Sequence, residues 1–271
     1  MSVPPPPSSS LSSSPSRIAT RLRAAGCVFA EDEARILLST AGSPDHLAAM
    51  VARRAAGLPL EQVVGWAEFC GLRVAVGPGV FVPRRRTEFL ARQAAALAAP
   101  GSVVLDLCCG SGAVGAALAA AVPGIILHAA DSDPAATACA RRNVAATGGQ
   151  VYEGDLYAPL PAALRGRIDV LVANTPYVPT GEVGLLPPEA RDHEPRAALD
   201  GGADGLSVLR RVTAGAPRWL APGGHLLVET SERQAAGAVT AARQAGLTAR
   251  VLDDAGRHAT VVVAHRPAAG T

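Results

Sequence analysis

The chain has 271 residues, 49% hydrophobic and 18% charged, with a net charge of +2; this bounds it to one large globular domain plus a small one and argues against direct nucleic-acid binding. All 25 basic residues are arginine, so mechanisms that need a lysine, such as Schiff bases and the P-loop lysine, are excluded. The five cysteines (Cys27, Cys70, Cys108, Cys109, Cys139) follow no Cys-x-x-Cys spacing, which speaks against a disulfide framework or a metal site and for a reducing cytoplasm.

Residues 1–16 are rich in Pro and Ser without an apolar core, which predicts a disordered tail, neither signal peptide nor membrane anchor. No window reaches about 18 uninterrupted apolar residues, so no membrane span is expected. Ile18, Leu22 and Ala25 recur at helical spacing, and Gly26 can close that helix. A second helix is expected over 31–39. A third starts at Ser43-Pro44-Asp45, with Ser as N-cap and Asp near the positive end of the helix dipole, and stops at Gly57. These elements define a small helical domain over 17–62, either a cap on the main domain or a module that recognises a protein substrate.

A hairpin linker follows over 63–92. Its strands are expected at 69–76 and 80–82, joined through Gly77-Pro78-Gly79, with Thr87 capping the next helix. From 93 to 271 strands and helices alternate, which predicts an α/β fold with a doubly wound parallel sheet. Strands are expected at 103–105, 125–130, 151–152, 170–173 and 225–229, then a closing antiparallel pair at 251–252 and 260–264. Helices are expected at 113–121, 134–146, 207–220 and 234–245.

Open α/β sheets bind ligands outside the carboxyl ends of their strands, and two such ends carry chemistry. After the first strand, Asp106-Leu-Cys-Cys-Gly110-Ser-Gly112 opens a helix, where glycines let the backbone turn tightly and approach a ligand. Asp131 ends the next strand, in position for a ribose diol, and Asp155 closes the third, in position for an adenine edge. Asp106 can help hold an ammonium group, which a pyrophosphate site would not want. The set therefore suits S-adenosylmethionine better than NAD. Cys108 and Ser132 flank it as further contact candidates, Cys108 as a small packing residue in the loop.

After the strand at 170–173 comes Asn174-Thr175-Pro176-Tyr177. The Asn174 side-chain oxygen and the main-chain carbonyl of Thr175 can accept both hydrogens of one planar NH2 group, and the Tyr177 ring can lie against its face. Such a turn grips an amide or a base amino group with its nitrogen toward an electrophile. A plain strand-to-loop turn would use the same residue types.

With these motifs placed, the sequence resembles the HemK/PrmC family of S-adenosylmethionine-dependent protein N5-glutamine methyltransferases over residues 17–265. Matching stretches are Val64–Phe69, Val82-Pro-Arg84 with Thr87-Glu88, Leu105–Gly112, Ala130–Ala135 and, most specific, Glu194–Leu206. The resemblance implies a helical N-terminal domain and a Rossmann-like, seven-stranded class I methyltransferase domain. It further implies methylation of a glutamine side-chain amide, in the best-known members that of the Gly-Gly-Gln loop of a peptide-chain release factor, with S-adenosylhomocysteine as product. Asp106, Gly110, Gly112 and Asp131 match the family's cofactor loop and ribose acid, and Asn174, Pro176 and Tyr177 its Asn-Pro-Pro-Tyr motif. Two positions depart: Thr175 replaces the first Pro of that motif, and Arg85-Arg86 replace a Pro and an acidic residue. Thr175 still contributes its carbonyl, and Pro176 biases it toward an extended backbone. Arg85-Arg86 read as a solvated turn or a contact for an acidic partner. A nucleobase amine, another protein glutamine, a small-molecule amide and a non-catalytic cofactor-binding module stand as rival assignments.

Overall fold

The computed structural model describes residues 14–268. Most of the Pro/Ser tail lies outside the described residues, and the first helix begins two residues before the expected boundary at 17. That helix, α1 (Pro15–Ala24), packs with α2 (Ala30–Thr40), α3 (Pro44–Ala55) and the short α4 (Leu60–Val64). The Ser43 hydroxyl accepts the His46 N–H at 3.1 Å, which is the expected cap. Ile18, Leu22, Leu37, Met50 and Val63 form one apolar centre, because each helix turns a single stripe inward.

The linker differs from its sequence expectation. The hairpin pairs β1 (Trp66–Phe69) with β2 (Leu72–Ala75), and its turn is Cys70-Gly71, not Gly77-Pro78-Gly79. Both turn residues have positive φ (50° and 76°), the two-residue geometry whose twist matches that of paired strands. The Cys70 N–H donates to Glu88 Oε1 at 3.1 Å, which anchors the turn. Val80 and Val82 belong to no strand; they alternate because the extended segment buries both under the hairpin. Thr87 is not a side-chain cap either. It sits in a 3₁₀ turn, Arg85–Thr87, ahead of α5 (Glu88–Ala95).

The main sheet has seven strands: β3 (Val103–Leu107), β4 (Ile126–Asp131), β5 (Gln150–Glu153), β6 (Ile168–Ala173), β7 (Leu220–Thr230), β8 (Thr248–Asp254) and β9 (Ala259–His265). Their order is β5-β4-β3-β6-β7-β9-β8, parallel except for β9, which runs antiparallel to both its neighbours. The strands interleave with α6 (Ala113–Ala121), α7 (Pro134–Val144), α8 (Pro188–His193), α9 (Arg196–Leu199), α10 (Ser207–Trp219) and α11 (Ala235–Gln244). All five residues of β3 are buried, as expected of a central strand covered on both faces.

Alternation along β3 assigns its side chains. Val103, Leu105 and Leu107 join the core beneath α10 and α11, while Val104 joins the core shared with the hairpin, α5 and α6. Asp106 therefore points to the α6 side. Among the described residues no helix is long and apolar enough to cross a membrane.

Candidate active site

The chain visits β3, β4 and β5 outward in one direction, then returns to place β6 on the other side of β3. At such a reversal the loops leaving neighbouring strands part and leave a crevice. A cavity of about 540 Å³ opens there. Cys108, Gly110, Asp131, Ser132, Asp155, Asn174, Thr175, Pro176 and Tyr177 line it; Asp106 and Gly112 do not.

The Asp106 carboxylate instead accepts the Gly115 N–H at 2.8 Å inside the first turn of α6. Burial pushes its pKa up to about 8, against the pull of that N–H, so the geometry gives it a structural place, not contact with an ammonium group. Gly112 serves packing. With φ at 75°, it brings α6 against α7 so closely that a Cβ would lie 3.0 Å from Ala140 Cα. Gly110 is the glycine that faces the cavity, and a Cβ there would meet no protein atom within 4 Å.

Asp131 spans the crevice floor. Its Oδ2 accepts the Gly110 N–H at 2.8 Å and its Oδ1 the Asp133 N–H at 3.0 Å, which ties the β4 end to the β3 loop. Burial raises its pKa and those N–H donors lower it. Asp155 is ion-paired with Arg211 of α10 at the cavity edge. Burial pushes the Cys108 thiol up, with Asp131 adding to the effect; this leaves a neutral, unreactive sulfur.

At the other end, the Asn174 Nδ2 donates to Thr87 Oγ1 at 3.3 Å, which leaves the Asn174 oxygen as the uncommitted atom of the amide. Among the described residues no protein donor reaches the Thr175 carbonyl. The Tyr177 hydroxyl donates to Glu229 Oε1 at 3.3 Å, and Arg86 lies over the Tyr177 ring at 5.6 Å while its Nε donates to the same oxygen at 3.3 Å. Burial and the Glu229 carboxylate hold the phenol protonated. Of the three adjacent arginines, Arg84 pairs with buried Glu194 and the exposed Arg86 with Glu229, while Arg85 is a solvated turn residue.

The turn is braced from below. Gln234 Nε2 donates to the Tyr177 carbonyl at 2.8 Å and to that of Asp204 at 2.9 Å. Gly201 N–H donates to the Val178 carbonyl at 2.8 Å, and a Cβ at Gly201 would lie 2.6 Å from the Pro176 carbonyl oxygen. The glycine-rich stretch Asp200–Leu206 thus passes backbone against backbone beneath the turn, the packing that only glycine permits. The wall opposite is the segment of α8 and α9, with Pro187, Glu189 and Pro195 in the lining. Arg54 of α3, 4% exposed, fastens it to the helical domain by pairing with both Glu33 and Glu189 at 2.6 Å. Glu229, Gln234 and Arg54 are supports of this cavity wall that the sequence motifs left unmarked, and Thr87, which the sequence offers as a helix cap, joins them.

One position carries an unmet demand. Thr175, 1% exposed, buries a hydroxyl with no hydrogen-bond partner, where the resembling family has a proline.

The sheet order, with its single antiparallel strand near one edge, and the paired loops at the reversal define a class I, S-adenosylmethionine-dependent methyltransferase. A methyltransferase from Pyrococcus furiosus shares the fold at a TM-score of 0.55 and 16% identity, covering 73% of this chain and 90% of that one. The profile of the methyltransferase small domain matches residues 72–185. A release factor glutamine methyltransferase of Geobacter sulfurreducens is 43% identical over 71% of this chain and 69% of its own length. Another of that name, from Thermosynechococcus vestitus, is 36% identical over 78% of this chain and 75% of its own length. The chain belongs to the release factor glutamine methyltransferase (HemK/PrmC) family. A further relative, 39% identical over 66% of this chain and 65% of its own length, is the 4-amino-L-phenylalanine/4-methylamino-L-phenylalanine methyltransferase of Streptomyces pristinaespiralis.

Proposed function

We propose that this enzyme methylates the side-chain amide nitrogen of a glutamine in the Gly-Gly-Gln loop of a peptide-chain release factor. The observation that carries the proposal is the pair of free acceptors at the end of β6: the Asn174 oxygen, whose amide nitrogen is already committed to Thr87, and the Thr175 carbonyl. Family membership supports the same acceptor.

S-adenosylmethionine supplies an electrophilic methyl group on a sulfonium sulfur. The lining fits it. Asp131 and Asp155 offer acceptors for hydroxyls and an amino edge, Ala136, Leu156 and Val208 offer apolar surface for a base, and Gly110 offers open backbone. Asn174 and Thr175 accept the two N–H bonds of the acceptor amide and favour positive charge on its nitrogen. The Tyr177 ring fixes the plane of that group. No side chain of the turn is a strong base, so the acceleration rests on positioning and fixed dipoles. The cytoplasm is the compartment where such an acceptor is met. The helical domain serves as the recognition module for the partner protein, and its α1–α2 connection presents Val28 and Phe29, 84% and 69% exposed.

A second acceptor class, a primary aromatic amine, is favoured by the Streptomyces relative alone. Tandem mass spectrometry of a release factor incubated with the enzyme and S-adenosylmethionine, beside 4-amino-L-phenylalanine, separates the two. A methyl on the Gly-Gly-Gln glutamine is expected; methylation of the aromatic amine alone sinks the protein-substrate assignment. Asn174→Ala is expected to lower turnover about 10²–10³-fold, the loss typical of a removed transition-state contact. Calorimetric binding of S-adenosylhomocysteine should survive in the same variant.

A further inference from the structure

A second cavity, of about 990 Å³, lies between α5, α6, the Cys70-Gly71 hairpin turn and the β8–β9 connection. Buried Ala91 of α5 and Ala117 of α6 are part of its floor. Its charged lining is four arginines, Arg85, Arg86, Arg92 and Arg257, and two glutamates, Glu68 and Glu88. Arg85 and Arg86 stand on the 3₁₀ turn and Arg92 on α5, all three exposed. Their guanidinium groups are largely unspent. Among the described residues the Arg85 side chain has neither ion pair nor hydrogen bond, and Arg92 has Glu88, at 3.7 Å, as its one carboxylate. Arg86 commits only its Nε, to Glu229. Arg257 is held by Asp254. An arginine with free terminal nitrogens offers a planar fork that grips a carboxylate through two parallel hydrogen bonds.

Arg86 also ties this trough to the active cavity, for among the described residues it alone lines both. A protein whose side chain enters the active cavity can therefore continue past Arg86 into the trough. Arg85 and Arg86 are also the positions where arginines replace the Pro and the acidic residue of the family pattern. The sequence thus departs toward positive charge where the two cavities meet.

We propose that the trough docks an acidic segment of the protein whose glutamine is methylated. The proposal rests on the protein acceptor proposed above. Carboxylates of that segment pair with Arg85, Arg92 and the free end of Arg86, and its main chain crosses the alanine floor. The same forks accept phosphate, but the rest of the lining favours a polypeptide over a nucleic acid. Among the described residues no aromatic side chain lines the trough to stack a base. Glu68 and Glu88 oppose an unbroken row of phosphates, whereas a polypeptide can set a neutral or basic residue against them. Contact outside the active cavity holds the acceptor equally before and during methyl transfer. It therefore lowers KM for the protein acceptor and leaves the chemical step to the clamp.

The test uses the full chain, a release factor as acceptor and, as a probe of the trough alone, fluorescently labelled hexaglutamate. Active sites are counted by S-adenosylhomocysteine binding, so that misfolded protein does not enter the rate. The double variant Arg85→Glu with Arg92→Glu is expected to raise KM for the release factor about tenfold or more, with KM for S-adenosylmethionine within about twofold of the parent. Hexaglutamate should bind the parent, compete with the release factor, and bind the variant about tenfold more weakly or worse. The milder pair Arg85→Ala with Arg92→Ala should move both readings the same way by less. Arg243→Glu, on α11 and lining neither cavity, controls for net charge and should leave both unchanged. An unchanged KM for the release factor in the charge-reversed variant overturns the proposal, as does a loss that Arg243→Glu reproduces. An RNA hexanucleotide that binds more tightly than hexaglutamate assigns the trough to nucleic acid and overturns it too. If the parent does not methylate the release factor, the protein-acceptor reading fails, and hexaglutamate alone judges the trough. Equal binding by parent and variant then sinks the docking site; weaker binding by the variant supports an acidic partner.

Discussion

The two ends of the cavity are built on different principles. At the proposed cofactor end the contacts that shape the loop are local and largely main-chain: Asp131 is held by the N–H groups of Gly110 and Asp133, and Asp106 by that of Gly115. At the proposed acceptor end the polar atoms of the turn lie within four residues, but what orients them comes from Thr87, Arg86, Glu229, Gln234 and the backbone of residues 200–206. A site of the first kind survives in a short motif. The second kind exists only once the fold has assembled, and its motif is meaningless without the supports.

The sharpest way to break this contrast is to disturb the brace without replacing any residue of the clamp. Gly205 has φ at 75°, and a Cβ there would fall on the Tyr177 carbonyl oxygen and the Gln234 amide. Gly205→Ala combines left-handed strain with overpacking against backbone, each costing about 1–3 kcal/mol. We expect a loss of about 3 kcal/mol or more in denaturant unfolding and a collapse of turnover. Gly110→Ala, by contrast, adds its Cβ to open space, and its cost should be confined to φ strain and to cofactor affinity. Equal losses of stability in the two variants would remove the distinction between the ends.

How much of each end is legible in the sequence follows from the same difference. The loop after β3 reads directly, because strand, Gly turn and helix are contiguous, and the helix expected over 113–121 is found there. The turn after β6 also reads as a unit, since Asn174, Pro176 and Tyr177 fall within four residues and line the same cavity. Its supports do not. Thr87 precedes a helix and so looks like an N-cap, and nothing local shows that its hydroxyl goes to a residue 87 positions on. Gln234 is placed by a capping box with Ser231, and its amide is aimed by that local turn at Tyr177. Asp106, at a strand end, reads as a partner for an ammonium group. The pleat decides otherwise, since alternate residues of β3 face opposite layers and position 106 falls on the α6 side. The hairpin is misplaced in the sequence for a chemical reason: Gly-Pro-Gly is a strong turn signal, whereas Cys70-Gly71 is weak until the Glu88 carboxylate anchors it.

Asp106 allows a second, smaller test, now at the cofactor end. Its folded-state pKa of about 8 stands well above the ordinary 3.8. Between those values the folded protein holds a proton that the unfolded chain has released, so stability falls as pH rises from about 4 to 8. In the variant Asp106→Asn the amide oxygen can still accept the Gly115 N–H, but the side chain carries no charge to desolvate. The variant should be no more stable than the parent at pH 4 and progressively more stable than it as pH rises to 8. A stability difference that does not change with pH would mean that Asp106 is ionised in the fold and that its place is not a buried, neutral one.

The smallest expected effect belongs to the acceptor end, at the residue that departs from the resembling family. The Thr175 hydroxyl is buried and unpartnered, and an orphaned hydroxyl costs about 1–3 kcal/mol relative to an apolar group of the same shape. Valine has that shape, keeps the main-chain carbonyl and removes the orphan. Thr175→Val should therefore raise the melting temperature by about 2–4 °C, as a gain near 1 kcal/mol does in a chain of this size. If the variant melts lower instead, the hydroxyl has a partner in solution that offsets its burial. The acceptor end would then owe part of its order to an ordered water, and the contrast with the main-chain cofactor end would widen, not close.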